Sequence, residues 1–157
     1  MNIRLLAIGK TDNKNLQLLI DKYQKRLSFY IKFDLEIIPD IKNVKSLSES
    51  QQKEKEGELI LSKIGATDHL ILLDENGKTY SSVAFSEELQ KKMNAGIKTL
   101  VFVIGGPYGF SEAVYAKAQG KISLSQMTFS HQMVRLFFIE QLYRGFTILR
   151  NEPYHHK

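Results

Sequence analysis

Residues 99–118 read TLVFVIGGPYGFSEAVYAKA. An apolar run ends abruptly in Gly105-Gly106-Pro107-Tyr108-Gly109-Phe110, and Ser111 then opens a helical pattern. A strand that passes through paired glycines into a helix brings its backbone close to another group, because glycine leaves no side chain in the way. The same alternation of strand and helix runs outward in both directions. IRLLAIG (3–9) reads as a strand, and Leu16, Leu19, Ile20, Tyr23 and Leu27 then recur at helical spacing. FDLEIIP (33–39) is a second strand, stopped by Pro39. The charged stretch 46–64 is a helix, with a capping box offered by Ser46 and Glu49. HLILLDENGK (69–78) reads as a strand ending in an Asn-Gly turn, and Phe85, Leu89 and Met93 mark a helix closed by Ala95-Gly96. KISLS (121–125) is a weaker fifth strand, and 131–149 form a long last helix. Strands alternating with helices predict an α/β fold, a mostly parallel sheet covered by helices on both faces.

Size and composition narrow the classes. The 157 residues suffice for one domain, 1–157, with a core that needs neither metal nor disulfide. The chain has no cysteine, which excludes disulfides and thiolate zinc sites and fits a reducing, cytoplasmic setting. The apolar start MNIRLLAIGK is too short for the core of a signal peptide, and no stretch approaches the ~20 apolar residues of a membrane span, so no membrane partner is expected. Net charge is +5, and the excess is uneven. From Lys117 to Lys157 six Lys/Arg face two acids, Glu140 and Glu152, and three of the four histidines lie there. A basic C-terminal region suits a polyanion such as RNA.

In an open α/β sheet, ligands sit beyond the carboxyl ends of the strands. The loops at that edge are LDENGK (73–78), GGPYGF (105–110) and LSQMTFSHQM (124–133). Gly105, Gly106 and Gly109 give G-G-x-x-G rather than the dinucleotide fingerprint, and they follow the fourth strand instead of the first. There is no G-x-x-x-x-G-K-[ST], no G-x-S-x-G, no H-E-x-x-H and no acidic cluster of metal-ligand type. Phosphate cradling, triad hydrolysis and metal chemistry are all disfavoured, and no metal is expected.

Four short patterns stand in register across the chain: L-D-x-x-G-K from Leu73, I-G-G-P-x-G from Ile104, L-S-x-M-T-x-x-H-Q-M-x-R from Leu124, and E-Q-x-Y-R…P-Y-H from Glu140. Together they closely resemble the RlmH family, the large-subunit (23S) rRNA pseudouridine N3-methyltransferases of the SPOUT class. Departures are small: Ser130 stands where proline is common, Gly145 where alanine is usual, and His156 is an extra histidine before Lys157, so His155, which follows Tyr154, takes the family's position.

The resemblance implies a SPOUT fold with a C-terminal trefoil knot, over approximately residues 70–157, whose loops clasp S-adenosyl-L-methionine. The matching cofactor positions are Leu73, Gly105, Gly106 and the run Leu124, Ser125, Gln126, Met127, Thr128 and Phe129. The glycines would let the backbone close on the adenosine. The resemblance further implies a homodimer that methylates N3 of a pseudouridine in the helix 69 loop of 23S rRNA, on the assembled ribosome. Other readings are a SPOUT methyltransferase acting on another RNA such as a tRNA, or a non-catalytic RNA-binding module of the same fold.

Methyl transfer from a sulfonium requires alignment and removal of an imide proton. Candidate catalytic residues are His155, Tyr154, Arg144 and Glu140, and candidate RNA contacts are Arg135, Arg150 and His131. Each has a plainer alternative: His131 as a helix cap, Glu140 and Arg144 as an i,i+4 surface pair, the terminal histidine as an idle end. The last helix carries apolar residues from Val134 to Phe146 too widely spread for one buried stripe, which predicts a second subunit on one side. The tail is expected to fold against a cofactor pocket, of its own subunit or its neighbour's.

Overall fold

In a computed structural model describing residues 1–156, the elements follow the expected order: β1 (Asn2–Ile8), α1 (Lys14–Leu27), β2 (Lys32–Ile38), α2 (Glu49–Ser62), β3 (His69–Thr79), α3 (Ser82–Asn94), β4 (Thr99–Ile104), α4 (Glu112–Lys117), β5 (Gly120–Ser123) and α5 (His131–Leu149). The strands form one sheet in the order β2-β1-β4-β3-β5, and every pair is parallel. Parallel strands need crossovers, and the helices supply them on both faces.

Alternation along the central strands divides the core in two. Ile3, Leu5, Ala7, Leu100 and Phe102 meet Ile20 of α1, Phe85 and Leu89 of α3, and Phe138, Ile139 and Leu142 of α5. Leu6, Leu70, Leu72, Val101 and Val103 meet Ile60 of α2 and Val114 of α4 on the other face. Among the described residues no helix is long and apolar enough to cross a membrane.

Two local expectations are corrected. The capping box of α2 belongs to Ser48 and Gln51: Ser48 Oγ accepts from the Gln51 amide at 3.1 Å, and Gln51 Oε1 accepts from the Ser48 amide at 2.9 Å. Ser46 is instead consumed by a 3-10 turn at Val44–Ser46, where its hydroxyl donates to Asn43 O, so the helix begins after Ser48.

Asn76-Gly77 is no strand-ending turn. Ile122 pairs with both Leu73 and Lys78, so β3 bulges outward over 74–77 and then resumes. A Cβ at Gly77 would stand 2.6 Å from the backbone of Ile122, and the lack of one lets the bulge press on β5. The bulge pushes Asp74, Glu75 and Asn76 out toward the strand ends.

The breadth of the apolar surface on α5 is met largely within the chain. This helix lies between α1 and α3, so two flanks of it are buried as well as the face on the sheet. Met133 and Phe137, each 37% exposed, are what remains open.

Candidate active site

Beyond the carboxyl ends of β3, β4 and β5 lies a cavity of about 440 Å³. That volume falls in the range of small-molecule sites. Leu73, Gly105, Gly106, Leu124, Ser125, Met127, Thr128 and Phe129, all expected at the cofactor site from the sequence, line it. Gln126 does not: it is exposed and stands outside the wall. His131 lines the cavity as the first residue of α5, while the cap is Ser130, whose Oγ accepts from the Met133 amide at 3.2 Å. Burial and the nearby charge of Arg135 push the His131 pKa down, so its imidazole is neutral at pH 7.

The loops are held from within. Gly109 (φ 83°) closes a turn in which its amide donates to Gly106 O at 3.2 Å, with Pro107 and Tyr108 between them. Ser125 Oγ accepts from the Met127 amide at 3.0 Å, and Ser123 Oγ donates to Ser125 O at 2.9 Å, which folds 123–127 back on itself. The paired glycines make room for this chain's own side chains. A Cβ at Gly105 would lie 3.0 Å from the Phe110 ring, and one at Gly106 would lie 2.5 Å from Glu56 Oε1. A side chain at Gly105 would therefore press on the Phe110 ring.

The charge of the wall is informative. Asp74 and Glu75 line it, whereas among the described residues no Lys or Arg does. Asp74 accepts from the Asn76 amide at 2.8 Å and from the Tyr115 hydroxyl. Burial and that hydrogen bond push the Tyr115 pKa up to about 12. Sequence reading missed Asp74, Glu75 and Tyr115. The first two stand inside the L-D-x-x-G-K pattern that was recognised, but their direction depended on the bulge.

The basic and tail residues part into two groups. Arg135 is wholly buried, donating to Ile8 O at 2.9 Å and Thr11 Oγ1 at 3.2 Å, with Nε unpartnered. It ties the loop after β1 to α5, so its expected contact with RNA is corrected: no part of its side chain reaches the surface. Arg150 is exposed, with its guanidinium 4.6 Å from the centre of the Tyr30 ring.

Glu140, Arg144, Tyr154 and His155 do come together. Arg144 Nη2 donates to Glu140 Oε1 at 2.7 Å and Nε to the same oxygen at 3.2 Å. The Tyr154 hydroxyl donates to that oxygen at 2.9 Å, and His155 Nδ1 stands 3.3 Å from Arg144 Nη1. Burial opposes the Arg144 charge, but Glu140 outweighs it and raises the pKa. Burial, then hydrogen bonds to Tyr23 and Glu140, push the Tyr154 pKa well above that of free tyrosine.

The tail reaches this position because Asn151 turns the chain in the left-handed region (φ 55°) and the Glu152 amide donates to Thr147 O at 2.9 Å. Tyr154 then packs 4.7 Å from the Tyr143 ring. The tail therefore docks on α5 and α1 of its own subunit, not on that subunit's cavity: Arg144 is roughly 20 Å along the helix from His131. A groove of about 320 Å³ joins the two regions, sharing Ser123, Leu124, Ser125 and Phe129 with the cavity and reaching Glu140.

The family model described as Predicted SPOUT methyltransferase matches residues 1–155. Over 157 residues, the whole of both chains, this chain is 87% identical to the ribosomal RNA large subunit methyltransferase H of Flavobacterium johnsoniae and 86% identical to that of Flavobacterium psychrophilum. It is 67% identical to that of Christiangramia forsetii, again over the full length of both. The four motifs, the parallel sheet and these relatives agree: the chain belongs to the SPOUT methyltransferase family, among the large-subunit methyltransferase H proteins.

Proposed function

We propose that the protein transfers a methyl group from S-adenosyl-L-methionine to large-subunit rRNA, at N3 of a pseudouridine in the helix 69 loop, working in the cytoplasm on the assembled ribosome. The full-length identity of 87% to a ribosomal RNA large subunit methyltransferase H carries this reading. The chemistry of the cavity supports the cofactor. Its wall offers apolar Leu73, Leu124, Met127 and Phe129 to the faces of an adenine, and backbone groups of 124–128 to its edge. Asp74 and Glu75 in the wall suit a positively charged ligand and repel a nucleotide phosphate.

When bound, the cofactor supplies an activated methyl on a cationic sulfur. The protein then has to place the imide nitrogen in line and manage its proton. Tyr154, with its raised pKa, keeps its proton and acts as a donor. Arg144 stays charged and can face the negative charge that develops on the imide. Glu140, which accepts from both, fixes their orientation and borders the groove.

Because the tail cluster lies far from its own cavity, the same reading requires a homodimer in which each tail serves the neighbour's cavity. Met133 and Phe137 on α5 offer apolar surface for that contact, and Arg150 a contact for rRNA. The trefoil knot belongs to this proposal too, within one domain spanning 1–157. It is supported by the return of the chain from edge strand β5 to pack α5 beside α1.

The test is methylation of ribosomes from a strain that lacks the enzyme, with the modified nucleoside identified by mass spectrometry. N3-methylpseudouridine in the helix 69 loop is expected. Methylation of tRNA alone would overturn the substrate.

A further inference from the structure

On the face of the sheet away from α5, α2 carries Glu56, whose side chain is buried at 4% exposure. Its carboxyl lies against the Cα of Gly106, in the space where any other residue would carry a Cβ. Oε1 of Glu56 is buried without a hydrogen-bond partner among the described residues. The polar groups acting on it are Gln52, one turn earlier on the same helix, and Asp40, an acid on the loop after β2. Burial raises the Glu56 pKa, Gln52 opposes that rise, and Asp40 adds to it.

A buried acid with an unpaired oxygen and an acidic neighbour takes up a proton, or is held as the carboxylate where a positive charge comes near it. Only the Gly106 turn separates it from the cavity, and Gly106 lines the cavity from its other side. The wall already carries Asp74 and Glu75 and, among the described residues, no Lys or Arg.

We propose that Glu56 acts through the Gly106 turn as a concealed counter-charge, so that the cavity prefers the sulfonium of S-adenosyl-L-methionine to the neutral thioether left after methyl transfer. Glu56 touches neither ligand; it is a specificity-determining residue behind the wall. The inference rests on the cofactor reading given above. Its consequence is release of the spent cofactor: once the positive charge leaves with the methyl group, the attraction toward Glu56, Asp74 and Glu75 goes with it. The glycine at 106 has a purpose in this arrangement, since a side chain there would displace the carboxyl from the turn.

The test measures, by calorimetry at neutral pH, the dissociation constants of S-adenosyl-L-methionine and S-adenosyl-L-homocysteine for the whole protein and for Glu56→Gln. Glu56→Met serves as a second neutral replacement of similar length should the first not fold. The expected result is a loss of about tenfold in the preference for the charged ligand, because screened attraction through the protein is of that order. A structural role alone would weaken both ligands equally and leave their ratio unchanged, and that outcome overturns the proposal. Failure of the unaltered protein to bind either ligand would overturn the cofactor reading and this inference with it. An unchanged ratio in a variant that still binds both ligands would overturn only the inference.

Discussion

Replacing Gly77 with alanine tests the bulge that shapes the cavity wall. The added methyl would stand 2.6 Å from Ile122 N and C and 2.7 Å from Lys121 C, all backbone atoms that cannot rotate aside. That is about 0.8 Å inside ordinary van der Waals distance, so β5 must retreat or the bulge must refold. Overpacking against rigid neighbours costs about 3 kcal/mol. For a chain of this size the melting temperature should fall by about 6–12 °C. Gly120→Ala is the matched control: it lies on the same edge strand, nothing approaches its Cβ within 4 Å, and the change should stay within about 0.5 kcal/mol. Urea denaturation of the three proteins gives the free energies directly, and calorimetry should show weaker cofactor binding in Gly77→Ala. Equal stability of the two alanine variants would refute the pairing of Ile122 with both ends of the bulge.

Acid stability should depend on Arg4. Its hydrogen bond, at 2.6 Å, holds the Glu36 carboxyl below its ordinary pKa of 4.5, although burial opposes this. A depressed folded-state pKa gives stability that is present above 4.5 and lost as pH falls through the lowered value. Denaturant titrations at neutral pH and at about pH 3 should therefore show a smaller acid loss in Arg4→Met than in the unaltered protein, and an equal loss would count against the pair. Deleting 153–157 should leave cofactor affinity nearly intact but cut ribosome methylation by about 10²-fold or more, and near-normal turnover would show an idle tail. Phe137→Glu should shift sedimentation from dimer to monomer while circular dichroism stays unchanged, and an unaltered protein that sediments as a monomer at micromolar concentration would remove the dimer from the reading.

The pattern of elements was legible because each strand and helix carries its own periodicity. The boundaries of α5 at 131 and 149 follow from apolar spacing, a local feature, although the cap is Ser130 rather than His131. What was not legible depends on contacts between distant segments. Asn76-Gly77 looks like a turn in isolation, and only the backbone of β5 makes it a bulge. Arg135 counts as surface charge in a sequence tally, whereas the carbonyl of Ile8 draws it inside. The motif residues around the cavity came from family resemblance, but the role of Gly106 depended on Glu56, fifty residues earlier in the chain. The tail residues do come together, but that they lie away from their own subunit's cavity depends on the turn at Asn151, which sequence does not reveal.

The strand order has a consequence for synthesis of the protein. β1 pairs with β2 on one side, but its other neighbour is β4, with Asn2 opposite Thr99. A chain leaving the ribosome at about 5–20 residues per second presents β1 and β2 some 3–12 s before β4 emerges. Throughout that interval the inner edge of β1, with Leu5 and Leu6, has no partner strand. Closing such a distant parallel pair is slow in any case. The nascent protein is thus exposed to edge-to-edge association during its own translation, and the demand for a chaperone should peak between completion of β2 and arrival of β4.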